Sequence, residues 1–185
     1  LVLGISQMFA MIVFPLFRKK YTRKKIFTAA IIMIAVGYIG FFISPMNMLP
    51  IGICGVLIFI GEAFIQILML MFLADCIEYG QWKNGKRNES ITFSIQPFIN
   101  KIGGAVASGI VGLTLVISGI NRAEKVVDVA DSGISMMKVA MMILPLVLIA
   151  ISYLINIKKF KIDEVFHKQI LDELTARGDI GGDSK

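Results

Sequence analysis

Histidine and cysteine, the usual raw material of metal binding and nucleophilic chemistry, are nearly absent: 185 residues hold one histidine and two cysteines. Cys54 lies inside an apolar run and Cys76 in a charged stretch, with no spacing that reads as a metal or redox pair. His167 stands near the carboxy end without ligand spacing around it. A membrane-embedded enzyme acting on lipid or lipid-linked sugar would need such groups gathered at the membrane edge. Only Asp75 and Glu78 offer themselves there, and two carboxylates three residues apart hold Mg2+ weakly. No metal site and no cofactor is expected. There is no repeat of 20 to 50 residues and no low-complexity tract. Leu1 falls inside an apolar run without a basic segment or small-residue cleavage site, so the run does not read as a signal peptide and the chain reads as a fragment.

Charge is also scarce. Charged residues make up 17% of the chain and hydrophobic ones 56%, with a mean hydropathy of +0.78. These values lie far on the apolar side of a soluble domain and mark an integral membrane protein. The net charge of +6 would point to nucleic acid in a soluble protein. Here the basic residues flank apolar runs, so the partner they imply is the lipid bilayer, and no nucleic acid is expected.

What is present is five apolar runs, Leu1 to Phe17, Ile26 to Ile43, Ile51 to Ala74, Thr92 to Ile120 and Ile134 to Ile157. Each suits a hydrocarbon core of ~30 Å, which takes about 20 helical residues, the first being apparently cut short. None alternates as a barrel strand would. The connection from Arg18 to Lys25 holds six basic residues, the stretch from Asp75 to Ser90 holds Lys83, Lys86 and Arg87, and the tail after Ile157 holds six more. The opposite connections, Ser44 to Pro50 and Asn121 to Gly133, hold only Arg122 and Lys125. The asymmetry places the basic connections and the carboxy terminus in the cytoplasm of a multi-pass cell-membrane protein. The expected architecture is an all-α membrane protein of five transmembrane helices, residues 1–157, followed by a cytoplasmic tail, 158–185. In that tail Phe166, Ile170 and Leu174 recur at helical spacing, Asp163 suits an N-cap and Gly178 a helix end. An amphipathic helix on the inner membrane face or against the cytoplasmic loops is expected, and Arg177 to Lys185 reads as disordered. The Ser44 to Pro50 connection, SPMNMLP, reads as a tight reversal, and Asn121 to Gly133 as a solvated connector.

The stretch from Ala74 to Ala107 carries the chemistry. Asp75, Glu78, Lys83, Lys86, Arg87 and Glu89 crowd a connection read as a loop, where ion pairs that make and break would act as a gate; a plain solvated loop is the alternative. Lys101 lies ten residues beyond Ile91, ~15 Å into the next span, and Glu62 twelve residues before Ala74, ~18 Å into the preceding one. Charges at that depth are expensive and mark function, unless Lys101 snorkels to the surface or the two form a structural bridge. Gln66, one turn from Glu62, and Gln96, near a turn from Lys101, add amides suited to a hydroxyl-rich ligand such as a sugar. Gly104, Ser108 and Gly112, with Gly103 and Gly109 beside them, allow close helix approach, and Pro97 predicts a kink. Such helices border midplane substrate sites in transporters. A non-catalytic membrane subunit is the remaining rival, in which Glu62 and Lys101 would be packing partners only.

The sequence Ala74-Asp75, Glu78-Tyr79-Gly80, Lys83-x-x-Lys86-Arg87-x-Glu89, Ser94 and Lys101-x-Gly103-Gly104 resembles the glycoside-pentoside-hexuronide:cation symporter family of the major facilitator superfamily. The resemblance covers the whole chain and matches it to spans eight to twelve. It implies a secondary active transporter for a small sugar or glycoside, driven by Na+ or H+ and working by alternating access. It implies that Asp75, Glu78, Tyr79 and Arg87 form a cytoplasmic gate and that Lys83, Lys86 and Glu89 couple sugar to cation. Lys101 and Gln96 would lie on the sugar side, and the carboxylates that bind the coupling ion would belong to the missing amino-terminal half. This chain departs from the pattern at Lys86, where some lactose-type members have histidine. It departs from the melibiose branch at Gln66, where that branch has an aromatic, at Pro97, where it has a hydroxyl residue, and at Glu62, which it lacks.

Overall fold

A computed structural model describes residues 2–44, 47–119 and 131–179, and every regular element among them is helical. In chain order these are α1 (Val2–Lys20), α2 (Arg23–Ile43), α3 (Met48–Asn84), α4 (Glu89–Ile117), α5 (Asp131–Lys138), α6 (Leu144–Lys159) and α7 (Glu164–Ala176). A π-helical segment, Val139–Ile143, joins α5 to α6, so the last apolar run is one continuous rod with a local bulge. Four helical stretches are long and apolar enough to cross a membrane: α2, α3, α4 and Gly133–Lys159. The first predicted run forms α1, which ends in Arg18, Lys19 and Lys20 and is not one of the four. The Ser44 to Pro50 reversal has residues 45 and 46 outside the described part, and Pro50 already belongs to α3. Most of the Asn121 to Gly133 connector and residues 180–185 of the tail also lie outside it.

The main correction concerns the connection read as a loop. High charge density does not break a helix, because Glu, Lys, Gln and Arg are good helix formers. The residues from Asp75 to Asn84 therefore continue α3, which runs 37 residues or ~55 Å. The chain stops being helical at Gly85, whose φ of 67° is open to a residue without a side chain. The true connection is Gly85 to Asn88, and Glu89 opens α4. α4 in turn continues through Pro97 to Ile117.

The core lies where α1, α2 and α3 meet. Ala10 and Phe14 from α1, Ile26, Phe27 and Ala30 from α2, and Ala63, Phe64 and Leu68 from α3 form one buried cluster. α2 and α3 approach closely because small residues face each other's backbone. A Cβ on Gly61 would sit 2.9 Å from the Ala30 carbonyl oxygen, and one on Gly37 3.1 Å from that of Cys54. Phe14 meets Phe64 edge-on at 5.7 Å, and Phe27 stacks on Tyr153 of α6 at 6.2 Å.

The tail helix follows its pattern, but Arg177 to Asp179, expected to be disordered, are held by hydrogen bonds to Trp82 and Gln81 of α3. Asp163 caps α7, accepting a 2.8 Å hydrogen bond from the Phe166 backbone N–H, and Gly178 turns the chain at φ 76°. Ile170 and Leu174 are fully buried against α3, and each side chain removed from water contributes about 1.5–3 kcal/mol.

Candidate functional site

Three helices deliver charged groups to the Asp75 end of α3. Asp75, buried on α3, accepts a hydrogen bond through Oδ2 from Arg23 Nη1 at the start of α2. Its other oxygen, Oδ1, lies 3.1 Å from His167 Nε2 on α7. The same imidazole nitrogen is 2.5 Å from Glu78 Oε2, one turn further along α3. Arg23 closes the ring, its backbone N–H donating to Glu164 Oε1 at 2.6 Å. Arg23 pairs with the buried Asp75 carboxylate and the His167 imidazole hydrogen-bonds Glu78, so neither acid is left without a partner.

An aromatic and polar clamp flanks the cluster. Tyr79, Trp82 and Phe166 meet with ring centroids 5.8 to 6.2 Å apart. Trp82 Nε1 donates to Glu173 Oε2 at 2.6 Å, Arg177 Nη1 to the Trp82 carbonyl at 3.1 Å, and Gln81 Nε2 to the Asp179 carbonyl at 3.3 Å. The tail is thus fastened along the last three turns of α3.

Four of the residues expected at a gate are gathered on this helix end: Asp75, Glu78, Tyr79 and, with its ammonium 5.9 Å over the Tyr79 ring, Lys83. Lys86 and Arg87 sit exposed in the short connection. Arg87 ties that connection back, its Nε donating to Glu89 Oε2 at 2.9 Å and its Nη1 to Gln81 Oε1 at 3.3 Å. Arg23, His167, Trp82 and Gln81 belong to the same network but are not reached from the sequence. His167 is 89 residues from Glu78, and nothing in local spacing joins them. The hint was the tail's apolar face, which demands a partner surface without saying which.

Asp75, Glu78 and His167 also hold donor atoms within 4.8 Å of one another, a spacing a divalent ion could bridge. Arg23 already pairs with Asp75 there, and the His167 imidazole is hydrogen-bonded to Glu78.

The interior polar residues are less assembled. Glu62 and Gln66 are exposed on α3, Lys101 is exposed on α4, and Gln96 is half-buried a little before it. Among the described residues Glu62 and Lys101 form no ion pair within 4.0 Å. A cavity of about 490 Å3 opens between α4 and the last span, lined by Gly103, Thr114, Met141 and Leu148 among others, and Lys101 is not part of its lining.

The family described as MFS/sugar transport protein matches residues 1–164. The chain belongs to that family, as a glycoside-pentoside-hexuronide symporter-type member of the major facilitator superfamily. It is similar to a lactose permease of Lactobacillus delbrueckii subsp. bulgaricus, 33% identical over 165 residues, which are 89% of this chain and 26% of that protein. It is similar to a raffinose carrier protein of Pediococcus pentosaceus, 30% identical over 161 residues, or 87% of this chain and 25% of that protein. An isoprimeverose transporter of Lactiplantibacillus pentosus is 30% identical over 129 residues, covering 70% of this chain and 26% of that protein. The chain therefore spans about a quarter of the length of these relatives. Family membership makes it a multi-pass membrane protein of a transporter family, not of an enzyme family.

Proposed function

We propose that this chain is a carboxy-terminal part of a sugar:cation symporter that works by alternating access in the cell membrane. The observation that carries the reading is the family match over residues 1–164, joined to a charged cluster at one end of α3. Relatives named for lactose, raffinose and isoprimeverose support a glycoside as the solute. α1 then serves as a fifth span, and α1 to α6 correspond to spans eight to twelve. The basic connections and α7 face the cytoplasm, as their lysines and arginines favour. Na+ or H+ moving inward drives uptake, with its binding carboxylates on the part of the protein outside this chain.

In this reading Lys101, Gln96, Glu62 and Gln66 face a solute path completed by the rest of the transporter, which also covers their exposed surfaces. Asp75, Glu78, Tyr79, Lys83, Lys86, Arg87 and Glu89 form the cytoplasmic gate and coupling region. The exit opens when the ion pairs among α2, α3 and α7 exchange partners, a change between two discrete arrangements. Uptake of radiolabelled glycosides into vesicles carrying the full-length protein, with and without a sodium or proton gradient, tests the function. Gradient-independent equilibration alone would remove the coupling, and no uptake of any glycoside would remove the sugar.

A further inference from the structure

We propose that the groove between α1, α2 and α3 is a binding site for one anionic phospholipid, its acyl chain lying along the helices and its headgroup on Lys20 and Lys25. This rests on the chain spanning a membrane and not on which solute or ion it carries.

The groove has a volume of about 450 Å3 and an oily body with a basic mouth. α1 lines it with Phe9 to Phe17 at four-residue steps, α2 with Ala29 and Met33, and α3 closes the floor with Phe64. From Phe9 to Tyr21 is twelve residues, ~18 Å of helix, close to the depth of one leaflet of a ~30 Å core. At the other end Tyr21 and Lys25 line the mouth, and Lys20 holds its ammonium 5.8 Å over the Tyr21 ring. Lys20 and Lys25 have no carboxylate within 4.0 Å among the described residues, unlike Arg23 beside them, which is taken up by Asp75 and Glu164. They sit in the run Arg18 to Lys25, with six basic residues and no acidic one.

Unpaired ammonium groups at the mouth of an apolar slot complement a molecule that is anionic at one end and hydrocarbon along the rest. Basic recesses between spans on the headgroup side recognise lipids in this way. A wholly apolar helix would fill the oil but would leave the two lysines without counter-charge, and a zwitterionic lipid would offset them only in part. The aromatic wall, with Phe9 56% and Phe17 42% exposed, offers the chain a rigid face that needs no rearrangement.

The test is native mass spectrometry of the full-length protein released from detergent, after titration with phosphatidylglycerol or with phosphatidylcholine of the same chains. The wild type is expected to retain phosphatidylglycerol preferentially. The Lys20→Gln/Lys25→Gln double variant should lose about tenfold of that preference. The control Lys158→Gln/Lys159→Gln, which neutralises exposed lysines at the end of α6, should keep it. Ala29→Trp, which fills the slot, should reduce retention of both lipids. The proposal is overturned by an unchanged preference in the Lys20/Lys25 variant, or by equal losses in both lysine pairs, which would indicate a general basic surface. It is also overturned if the wild type retains neither lipid, since a protein segment then occupies the groove.

Discussion

The two ends of this chain are built differently. Around α2 and α3 the apolar stretches are partly covered, 28% and 22% of their most hydrophobic windows, and their basic end is tied to α7 by hydrogen bonds, rings and buried leucine and isoleucine. Along α4 the corresponding share is 6%, and along the last span it is nil. The first region pairs its buried Asp75 and packs its own core. The second leaves glycines, serines and amides exposed along α4, among them Asn100, Gly103, Gly104 and Ser108. Bundle stability is therefore concentrated in α1 to α3 and α7, while the proposed solute path is split between the packed α3, with Glu62 and Gln66, and the less supported α4, with Gln96 and Lys101.

That contrast can be broken most forcefully at Asp75. Asp75→Ala leaves Arg23, whose side chain is 16% exposed, without its counter-ion, and a full-length variant should lose about 3 kcal/mol of stability, seen as a lowered melting temperature in detergent. Adding Arg23→Leu should recover part of the loss; no recovery would mean that the pair is not coupled. Leu174→Ala, at a fully buried site, is expected to cost 2–3 kcal/mol locally and to speed hydrogen exchange in α7 while sparing α4. Gly61→Ala drives a Cβ to 2.9 Å from a backbone carbonyl and should cost about 1–3 kcal/mol. Gly104→Ala meets nothing within 4 Å and should stay within about 0.5 kcal/mol of wild type. A larger loss at Gly104 would show that the outward face of α4 is covered in the intact protein.

Lys101→Ala reverses the ranking. The side chain is exposed on α4, so thermal stability should hardly move, while coupled sugar accumulation should be abolished with expression intact. Normal accumulation would remove Lys101 from the solute path. The smallest stability effect is expected at Arg87→Gln, whose pair with Glu89 is 42% and 50% exposed and is worth under about 0.5 kcal/mol in solvent.

Long apolar runs were readable because a bilayer imposes length and composition directly, and the capped, amphipathic tail helix was readable because its spacing is local. The end of α3 was misread from its charges. A loop was expected from Asp75 onward, yet nothing in DCIEYGQWKN breaks a helix, and the stop is Gly85. The residues proposed for a gate came from the density of mixed charge and from a family resemblance, while the partners that hold Asp75 and Glu78, Arg23 and His167, lie 52 and 89 residues away and become visible only when three helix ends converge. The depth of Glu62 and Lys101 was countable from the sequence, but depth does not fix rotation about the helix axis, and the two do not form a pair.

Because α3 runs unbroken from Met48 to Asn84, Glu62 and the cluster at Asp75 ride on one stiff lever, thirteen residues or ~20 Å apart. A tilt of about 10° around the middle of this ~55 Å rod displaces each tip by about 5 Å, close to one helical turn. In the proposed alternating-access reading, unclasping α7 from the far tip would free a motion whose opposite stroke is delivered on the other side of the membrane, without any side chain in between having to relay it.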